Sequence, residues 1–181
     1  MGNIVAPVRA GYRSAMPAVR HISFAPHVAP DTRLLILGSL PGARSLAERQ
    51  YYAHPTNQFW RLLGEVVDRP LAVLPYEDRL KTLREARIGL WDVIRSAERH
   101  TSSDALIRDA EAHDLAALIA GLPDLRMIAF NGGKAAAIGR KQLPPSGGMT
   151  IIDLPSSSAA HTIGFAAKLE KWLKLKTALE T

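Results

Sequence analysis

The sequence contains no cysteine, which excludes disulfide bonds and thiolate metal ligands. No stretch of about 18 consecutive apolar residues occurs in the 181-residue chain, so a membrane-spanning helix is excluded. The first thirty residues carry scattered arginines and four prolines but lack the apolar core of a secretory signal. From these absences we expect a cytoplasmic protein.

A metal-binding pattern is also lacking. His54, His100 and His113 are scattered along the chain without the short spacing of metal ligands. The glycine-containing segments match neither a complete dinucleotide-binding pattern nor a complete Walker pattern. We therefore predict that the protein uses neither a metal nor another cofactor.

The chain is basic and of single-domain length. Its 23 lysines and arginines against 17 aspartates and glutamates give a formal net charge of +6, which favours a polyanionic partner without requiring one. A chain of 181 residues can bury one sizeable core. We assign residues 1–31 to an irregular N-terminal extension and residues 32–181 to one domain. Within the extension, residues 22–28 are the part that could pack on the domain.

Four apolar segments are typical of buried strands, and they cover residues 34–37, 88–94, 125–130 and 150–154. The first of them runs without polar alternation, as in a strand covered on both faces of a parallel sheet. Asp92 interrupts the second segment. We interpret it as a buried hydrogen-bond acceptor for a nearby backbone donor rather than as a catalytic group.

Segments with helical periodicity separate these strands. Pro55 and Thr56 predict the start of the first helix, with Thr56 as its N-cap. Residues 77–87 form a charged helix, and residues 102–122 contain a polar loop followed by a helix. In the last helix Lys168 lies outside the apolar face, which holds Phe165, Leu169, Trp172 and Leu173. This alternation predicts an α/β fold, a three-layer α/β/α sandwich with a central four-stranded parallel sheet.

Three strand ends carry unusual loops of small or polar residues: GSLPG at 38–42, FNGGK at 130–134 and LPSSS at 154–158. Right-handed crossovers bring the carboxyl ends of parallel strands to one edge of the sheet, where ligands bind in open α/β folds. A polar and aromatic cluster follows the first loop. We therefore predict that these loops share a single cleft.

These motifs, in this order, resemble the uracil-DNA glycosylase superfamily. GSLPG is similar to the first motif of its mismatch-specific branch, which ends in Pro-Gly. The segment YAHPTNQFW, residues 52–60, is similar to that branch's aromatic-Ala-His-Pro-x-Asn-x-Phe-Trp segment, and LPSSS stands where the family has its second motif. With GLWDVI and FNGGKA, the pattern most resembles the hypoxanthine-DNA glycosylase subgroup. The resemblance spans roughly residues 34–172.

The first motif departs from the family in one position. In the mismatch-specific branch an Asn precedes the Pro-Gly and orients the attacking water, whereas this chain has Leu40 there. An alkyl side chain can neither donate nor accept a hydrogen bond. Either another residue takes over that role, or the activity is altered.

The resemblance implies roles for residues around the first motif. Tyr52 would stack on the extruded base, with simple packing under the loop as the alternative. Asn57 would position water or contact the base, with a helix-start hydrogen bond as the alternative. The backbone N–H groups of Ser39 and Leu40 would hold a base carbonyl in the manner of an oxyanion hole.

The remaining candidates lie near later strand ends. Asn131 would pair with an imide or lactam edge of the base, with a turn-forming role as the alternative. His161 would stabilise the base anion or contact phosphate, unless it is structural. Phosphate would be bound by hydroxyls and helix N-terminal amides, with helix capping as the alternative, and the DNA-binding set is Ser156, Ser157, Ser158 and Lys134.

The resemblance thus implies a monofunctional DNA glycosylase of base excision repair, monomeric and associated with the nucleoid. It would hydrolyse the N-glycosidic bond of a flipped-out deaminated base, uracil first and hypoxanthine second, and release the free base. Apart from Lys134 the motifs hold no lysine, which argues against Schiff-base lyase chemistry.

Two other functions remain open at this point. Because Leu40 replaces the water-orienting residue, the chain could bind damaged or single-stranded DNA without cutting the base. It could also be an unrelated small-molecule α/β enzyme, whose ligand affinity would lack the steep salt dependence of phosphate contacts.

Overall fold

The computed structural model describes residues 19–99, 107–145 and 148–180. Its strands are β1 (Arg20–Ile22), β2 (Leu34–Gly38), β3 (Ile88–Asp92), β4 (Ile94–Glu98), β5 (Arg108–Ala112), β6 (Met127–Asn131) and β7 (Thr150–Leu154). Its α-helices are α1 (Ala43–Glu48), α2 (Phe59–Val67), α3 (Tyr76–Glu85), α4 (Leu115–Ala120), α5 (Gly133–Gly139) and α6 (Phe165–Trp172). Short 3-10 helices cover Leu71–Val73, Arg140–Gln142 and Leu173–Ala178.

The central sheet has four parallel strands in the order β3-β2-β6-β7. Every residue of β2 is buried, and alternate residues point to opposite faces because the side-chain period of a strand is two. Leu34 and Ile36 pack with apolar residues of α2 and α6. Leu35 and Leu37 pack with residues of α4 and α5 on the other face. The predicted α/β fold with a four-stranded parallel sheet is confirmed.

A second, smaller sheet was not predicted. It has three antiparallel strands in the order β1-β4-β5. The segment expected to be one strand, residues 88–94, is split, since β3 ends at Asp92 and β4 begins at Ile94. The amides of Val93 and Ile94 donate to the carbonyls of Gly38 and Ser39, and the chain then leaves the parallel ladder. All five residues of β5 are exposed, and its sequence RDAEA contains no large apolar residue. It therefore lacks the apolar alternation that signals a strand.

Strand β1 lies within residues 1–31, which were expected to be irregular. The isolated bridge between His27 and Leu90 places the following residues against β3 as well. The packing considered for residues 22–28 is therefore present, while the domain boundary after residue 31 stays a prediction. Residues 1–18, His100 and residues 102–106 of the predicted loop lie outside the described residues.

The start of α2 differs from the prediction. Thr56 does not cap this helix, because its hydroxyl lies 2.9 Å from His54 Nδ1 instead. The N-cap residue is Gln58, whose side chain makes no capping bond. The side chain of Asn57 takes over part of this task, since its Oδ1 accepts the Phe59 amide at 3.0 Å.

Two residues in or just after α6 differ from the prediction. Trp172 is fully buried as predicted, but Leu173 is 39% exposed because the chain tightens into a 3-10 helix there and turns Leu175 inward instead. Lys168 was placed outside the apolar face, yet it is only 1% exposed. None of the helices in the described ranges is long and apolar enough to cross a bilayer.

Two glycines of α5 provide a test of packing on the second face of the sheet. A Cβ at Gly139 would lie 2.2 Å from Phe130 Cε1 and 2.9 Å from Val93 Cγ1, whereas a Cβ at Gly133 would have no neighbour within 4 Å. We expect Gly139→Ala to lower the free energy of unfolding by about 1–3 kcal/mol through overpacking. Gly133→Ala, the matched control, should be neutral or slightly stabilising. Urea unfolding of both variants checks this, and equal midpoints would contradict the packing described here.

Candidate active site

A cleft of about 600 Å³ opens at the carboxyl ends of the central strands. It contains Tyr52, Asn57, Asn131 and Ser156, which come from distant parts of the sequence. The other lining residues are Gly38, Ser39, Leu40, Pro41, Gly42, Arg44, Ser45, Tyr51, His54, Thr56, Asp92, Ser157, Ser158, Ala159, Ala160 and His161. The predicted convergence of the three loops is present in the structure.

The first loop, residues 38–42, forms one wall of the cleft. Ser39 and Leu40 are nearly buried, at 8% and 6% exposure. Leu40 belongs to the apolar cluster on the second face of the sheet, so its side chain anchors the loop. Arg99, a buried residue at the end of β4, donates from Nη2 to the Pro41 carbonyl. The loop is therefore held by Arg99, directly after β4, as well as by its own strand.

Tyr52 has a fixed place in the cleft. Its φ of +54° is in the left-handed region, which a bulky side chain rarely adopts. Its ring stacks on Phe59 at a centroid distance of 3.6 Å and an interplanar angle of 10°. Because Phe59 covers one face of this ring, a flat ligand can stack only on the other face. The packing alternative and the predicted stacking role are thus compatible.

Asp92 forms a polar end of the cleft, and the sequence analysis interpreted it as structural. Its carboxylate is 3% exposed and accepts the Ser23 hydroxyl at Oδ2 over 2.7 Å. A Cβ on Gly38 would lie 2.6 Å from Asp92 Oδ1 and 2.9 Å from the Tyr52 hydroxyl. Only glycine at position 38 therefore leaves room for both groups. One sequence feature could have placed Asp92 in the cleft: it stands at the carboxyl end of a predicted parallel strand, where ligands bind in open α/β folds.

Asp92 and the neighbouring Tyr51 are both buried. Burial, and next the nearby Asp92 carboxylate, raise the pKa of Tyr51 far above its ordinary value. The hydroxyl of Tyr51 therefore stays protonated and donates to the Ala25 carbonyl at 3.4 Å. The Asp92 carboxylate is only 3% exposed, so water screens it less than it would a surface carboxylate.

Asn57 makes the helix-start contact that was left open as an alternative. Its Oδ1 accepts the Phe59 amide, and this bond fixes the side chain at the start of α2, where Asn57 lines the cleft. The amide nitrogen of Asn57 is a donor outside that bond. The catalytic role of Asn57 stays a prediction.

The amide of Asn131 is bound to the second motif. Its Oδ1 accepts the Ser157 amide at 2.8 Å, and its Nδ2 donates to Ser157 Oγ at 2.9 Å. Since a backbone N–H can only donate, this pair assigns the orientation of the amide. Gly132 follows with φ +102°, and a Cβ there would lie 3.1 Å from the Ser156 Cβ. Asn131 thus joins two loops, while its contact with a base stays a prediction.

The second-motif loop, residues 155–161, is held through its carbonyl groups. Gln58 N donates to the Ser157 carbonyl at 2.9 Å, and Trp172 Nε1 donates to the Pro155 carbonyl at 3.2 Å. Lys168 Nζ donates to the Ser158 carbonyl at 2.9 Å. Burial lowers the pKa of Lys168, because desolvation disfavours its charged form.

The serines of this loop differ from the prediction in their setting. Ser157 is 1% exposed and its hydroxyl is bound to Asn131, which leaves it inaccessible to phosphate. α6 begins only at Phe165, so the serines are not at a helix N-terminus. The hydroxyls of Ser156 and Ser158 accept the amides of Ser158 and Ala160 in local turns. Phosphate binding by these two hydroxyls stays a prediction.

Two predicted residues differ in their relation to the cleft. His161 is exposed and lines it, with its amide donating to the Ser158 carbonyl at 3.1 Å. Lys134 is half-buried in the first turn of α5 and lies outside the lining residues. The described ranges contain no group of three or more histidine and acidic side chains placed to hold a metal ion.

Comparison with a family model identifies the class of protein to which this α/β fold and its cleft belong. Residues 25–177 match the uracil DNA glycosylase superfamily. The chain therefore belongs to this superfamily, and it is a DNA N-glycosylase.

Two relatives from Methanosarcina are named hypoxanthine DNA glycosylase. The M. acetivorans protein is 44% identical over 131 residues, which is 72% of this chain and 82% of the relative. The M. barkeri protein is 42% identical over 149 residues, covering 82% of this chain and 93% of the relative. A solution NMR structure of an M. acetivorans protein, described as a candidate uracil DNA glycosylase, superimposes with a TM-score of 0.80 at 37% identity. That match covers 90% of this chain and all of the other.

The contact of Lys168 with the second-motif loop gives a testable prediction. Lys168→Met keeps most of the buried stem and removes the donor to the Ser158 carbonyl. A hydrogen bond from a charged group is worth about 1.5–3 kcal/mol, so amide protection in residues 156–161 should fall roughly tenfold or more. Hydrogen exchange measures this directly. Lys171→Met, on the exposed side of the same helix, is the matched control and should leave that protection unchanged.

Proposed function

We propose that this chain hydrolyses the N-glycosidic bond of a deaminated base flipped out of DNA, in base excision repair. The observation that carries the proposal is the convergence of Tyr52, Asn57, Asp92 and Asn131 in one cleft. An extruded base needs a flat surface, hydrogen-bonding partners for its edge and a dry surround. The cleft brings the ring of Tyr52 and the polar groups of Asn57, Asp92 and Asn131 into neighbouring positions.

The reaction passes through a sugar with oxocarbenium character and a departing base that gains negative charge. The base ring stacks on the Tyr52 face that Phe59 does not cover, with Phe59 supporting the other face. The loop backbone at Ser39 and Leu40 meets a carbonyl oxygen of the base, and His161 at the rim favours the departing anion. Asn57 positions the attacking water with its amide nitrogen, and thereby takes over the task for which Leu40 is unsuited.

The polar end of the cleft suits a deaminated base. Deamination turns a ring nitrogen that accepts hydrogen bonds, in cytosine or adenine, into an N–H that donates one. The buried Asp92 carboxylate accepts such an N–H and repels the lone pair of the undamaged base. This supports uracil and hypoxanthine as a class against cytosine and adenine.

Between these two bases we favour hypoxanthine. The sequence analysis placed uracil first on the chemistry of the superfamily, but two relatives at 42–44% identity are named hypoxanthine DNA glycosylase. A cleft of about 600 Å³ also has room for a purine. Uracil is the second substrate.

Cleavage by water rather than by a lysine is favoured by the described lining of the cleft, which contains no lysine. The buried Lys168 points its ammonium at the Ser158 carbonyl and is only 1% exposed. A Schiff base requires a neutral amine that reaches the sugar carbon. The product is therefore an abasic site with an intact strand, together with the free base.

Binding of damaged DNA without excision of the bound base is the second candidate function, and one observation favours it. Leu40 is packed into the apolar core and is 6% exposed, so the first motif supplies no polar side chain at that position. On this view the cleft would still hold an extruded base. Binding without abasic-site formation would identify this function.

The activity itself is tested on oligonucleotides that carry one hypoxanthine, uracil, adenine or cytosine. We expect abasic sites with hypoxanthine at the highest rate, with uracil more slowly, and with neither adenine nor cytosine. Alkali cleavage of the product strand reports abasic sites, and chromatography reports the free base. Binding to the hypoxanthine strand without either product would support the non-catalytic function instead.

The assignment of Tyr52 and Asn57 is tested by truncation. Base stacking is worth about 1–3 kcal/mol, so Tyr52→Ala should lower kcat/KM by roughly tenfold or more, while Tyr52→Phe keeps the stacking surface. Asn57→Ala should lower kcat more than KM, because a water-positioning group acts in the transition state. Unfolding curves control for stability, since Asn57 also holds the Phe59 amide. Unchanged rates in both alanine variants would remove these residues from the site.

The carboxylate of Asp92 is tested by Asp92→Asn, which keeps shape and removes charge. Loss of a charge-assisted hydrogen bond to the base N–H should lower kcat/KM for hypoxanthine about 10- to 100-fold. The ratio of the hypoxanthine rate to the adenine rate should fall, because the Asn side chain can direct its N–H donor towards the ring nitrogen of adenine. Single-turnover rates on both strands measure this ratio. A hypoxanthine-to-adenine ratio equal to that of the wild type would exclude Asp92 as the discriminating group.

A further inference from the structure

The segment before the central sheet reaches the bottom of the active-site cleft. Ser23 lies directly after β1 and its hydroxyl donates to Asp92 Oδ2 at 2.7 Å. The two residues are 69 positions apart in the sequence. Ser23 itself is not among the residues that line the cleft, so it would act on a bound base only through Asp92.

Several hydrogen bonds hold this segment in place. Ser23 N donates to the Arg95 carbonyl at 2.8 Å, and β1 pairs with β4 immediately before it. The indole of Trp91 donates to the Phe24 carbonyl at 3.0 Å. Further on, the backbone bridge from His27 to Leu90 ties the chain to β3. The Ser23 hydroxyl is thus presented to the carboxylate by a segment anchored on both sides.

We propose that Ser23 is a positioning residue for base recognition, and that the segment of residues 20–28 is part of the glycosylase site. Its hydroxyl holds one oxygen of the Asp92 carboxylate, and the other oxygen remains beside Gly38 and the Tyr52 hydroxyl at the end of the cleft. The inference rests on the proposed function, because it assigns Asp92 to the base. It extends beyond the family match, which begins at residue 25.

The hydrogen bond has a consequence for protonation. A donor to a carboxylate favours the ionised form, so Ser23 keeps Asp92 ionised to lower pH than it would otherwise be. Within the described residues, the hydroxyls of Tyr51 and Tyr52 are among the groups near Asp92 that come from other elements. The imidazoles of His54 and His161 also line the cleft.

The experiment compares the pH dependence of hypoxanthine excision in the wild-type chain and in Ser23→Ala. Removal of the donor lets the carboxylate take up a proton at higher pH, so the acid limb of kcat/KM should move upward by about one pH unit. At neutral pH the loss in kcat/KM should be roughly tenfold or less. Ser23→Thr keeps a hydroxyl and should restore the wild-type profile. A purely structural role of Ser23 would lower the rate without moving the limb.

A matched control exists in the smaller sheet. Ser96 is also nearly buried, and its hydroxyl donates to the Glu111 carboxylate at 3.0 Å, away from the cleft. Ser96→Ala therefore removes a serine-to-carboxylate hydrogen bond of the same kind at a place outside the cleft. It should leave the pH profile of excision unchanged.

A second measurement separates this inference from the proposed function. The carboxyl carbon of Asp92, followed by NMR in labelled protein, titrates whether or not the protein excises a base. Its midpoint should be higher in Ser23→Ala than in the wild type and unchanged in Ser96→Ala. An equal midpoint in Ser23→Ala and wild type overturns the positioning role. If the wild type excises neither hypoxanthine nor uracil but the midpoint of Asp92 is still higher in Ser23→Ala, the role of the Ser23 contact stands. The proposed excision of a deaminated base is then rejected.

Discussion

The level register of the four parallel strands is the constraint on which the site depends. Gly38 at the end of β2 pairs with Asp92 at the end of β3, and Asn131 at the end of β6 pairs with Leu154 at the end of β7. Because all four strands stop at one height, the loops that follow them emerge at the same edge. A shift of one residue in any pair would exchange the two faces of that strand and withdraw its terminal side chain from the cleft.

Rigidity at this edge comes mainly from hydrogen bonds to loop carbonyls. Arg99 holds Pro41, Lys168 holds Ser158, and the indole of Trp172 holds Pro155. Donors of this kind fix the backbone of the loops at this edge of the sheet. The first motif gains an apolar anchor in Leu40, and this explains how it keeps its shape although the usual polar residue is absent. A preformed cleft suits catalysis, since no reorganisation is needed when charge develops on the departing base.

The residues of the site differ in how far the sequence could predict them. Tyr52, Asn57 and Asn131 were found because they stand in motifs or at predicted strand ends, and the structure brings all three into one cleft. Asp92 was seen but interpreted as structural, since a carboxylate in an apolar strand is usually a satisfied hydrogen-bond acceptor. Lys168 was placed on the exposed side of its helix because helical periodicity carries no information about a loop that folds over that side. Ser23 lay in a segment without any periodic signal.

The sequence by itself determined the central sheet, since apolar runs and helical periods are local patterns that depend only on neighbouring residues. It also determined the family, through motifs whose spacing survives in a linear chain. The tertiary structure alone decided that a serine near the N-terminus meets the Asp92 carboxylate, and that β3 and β4 separate at Val93. Such contacts join residues far apart in the chain, and their energy arises only when burial removes water from both partners. No local pattern records them for that reason.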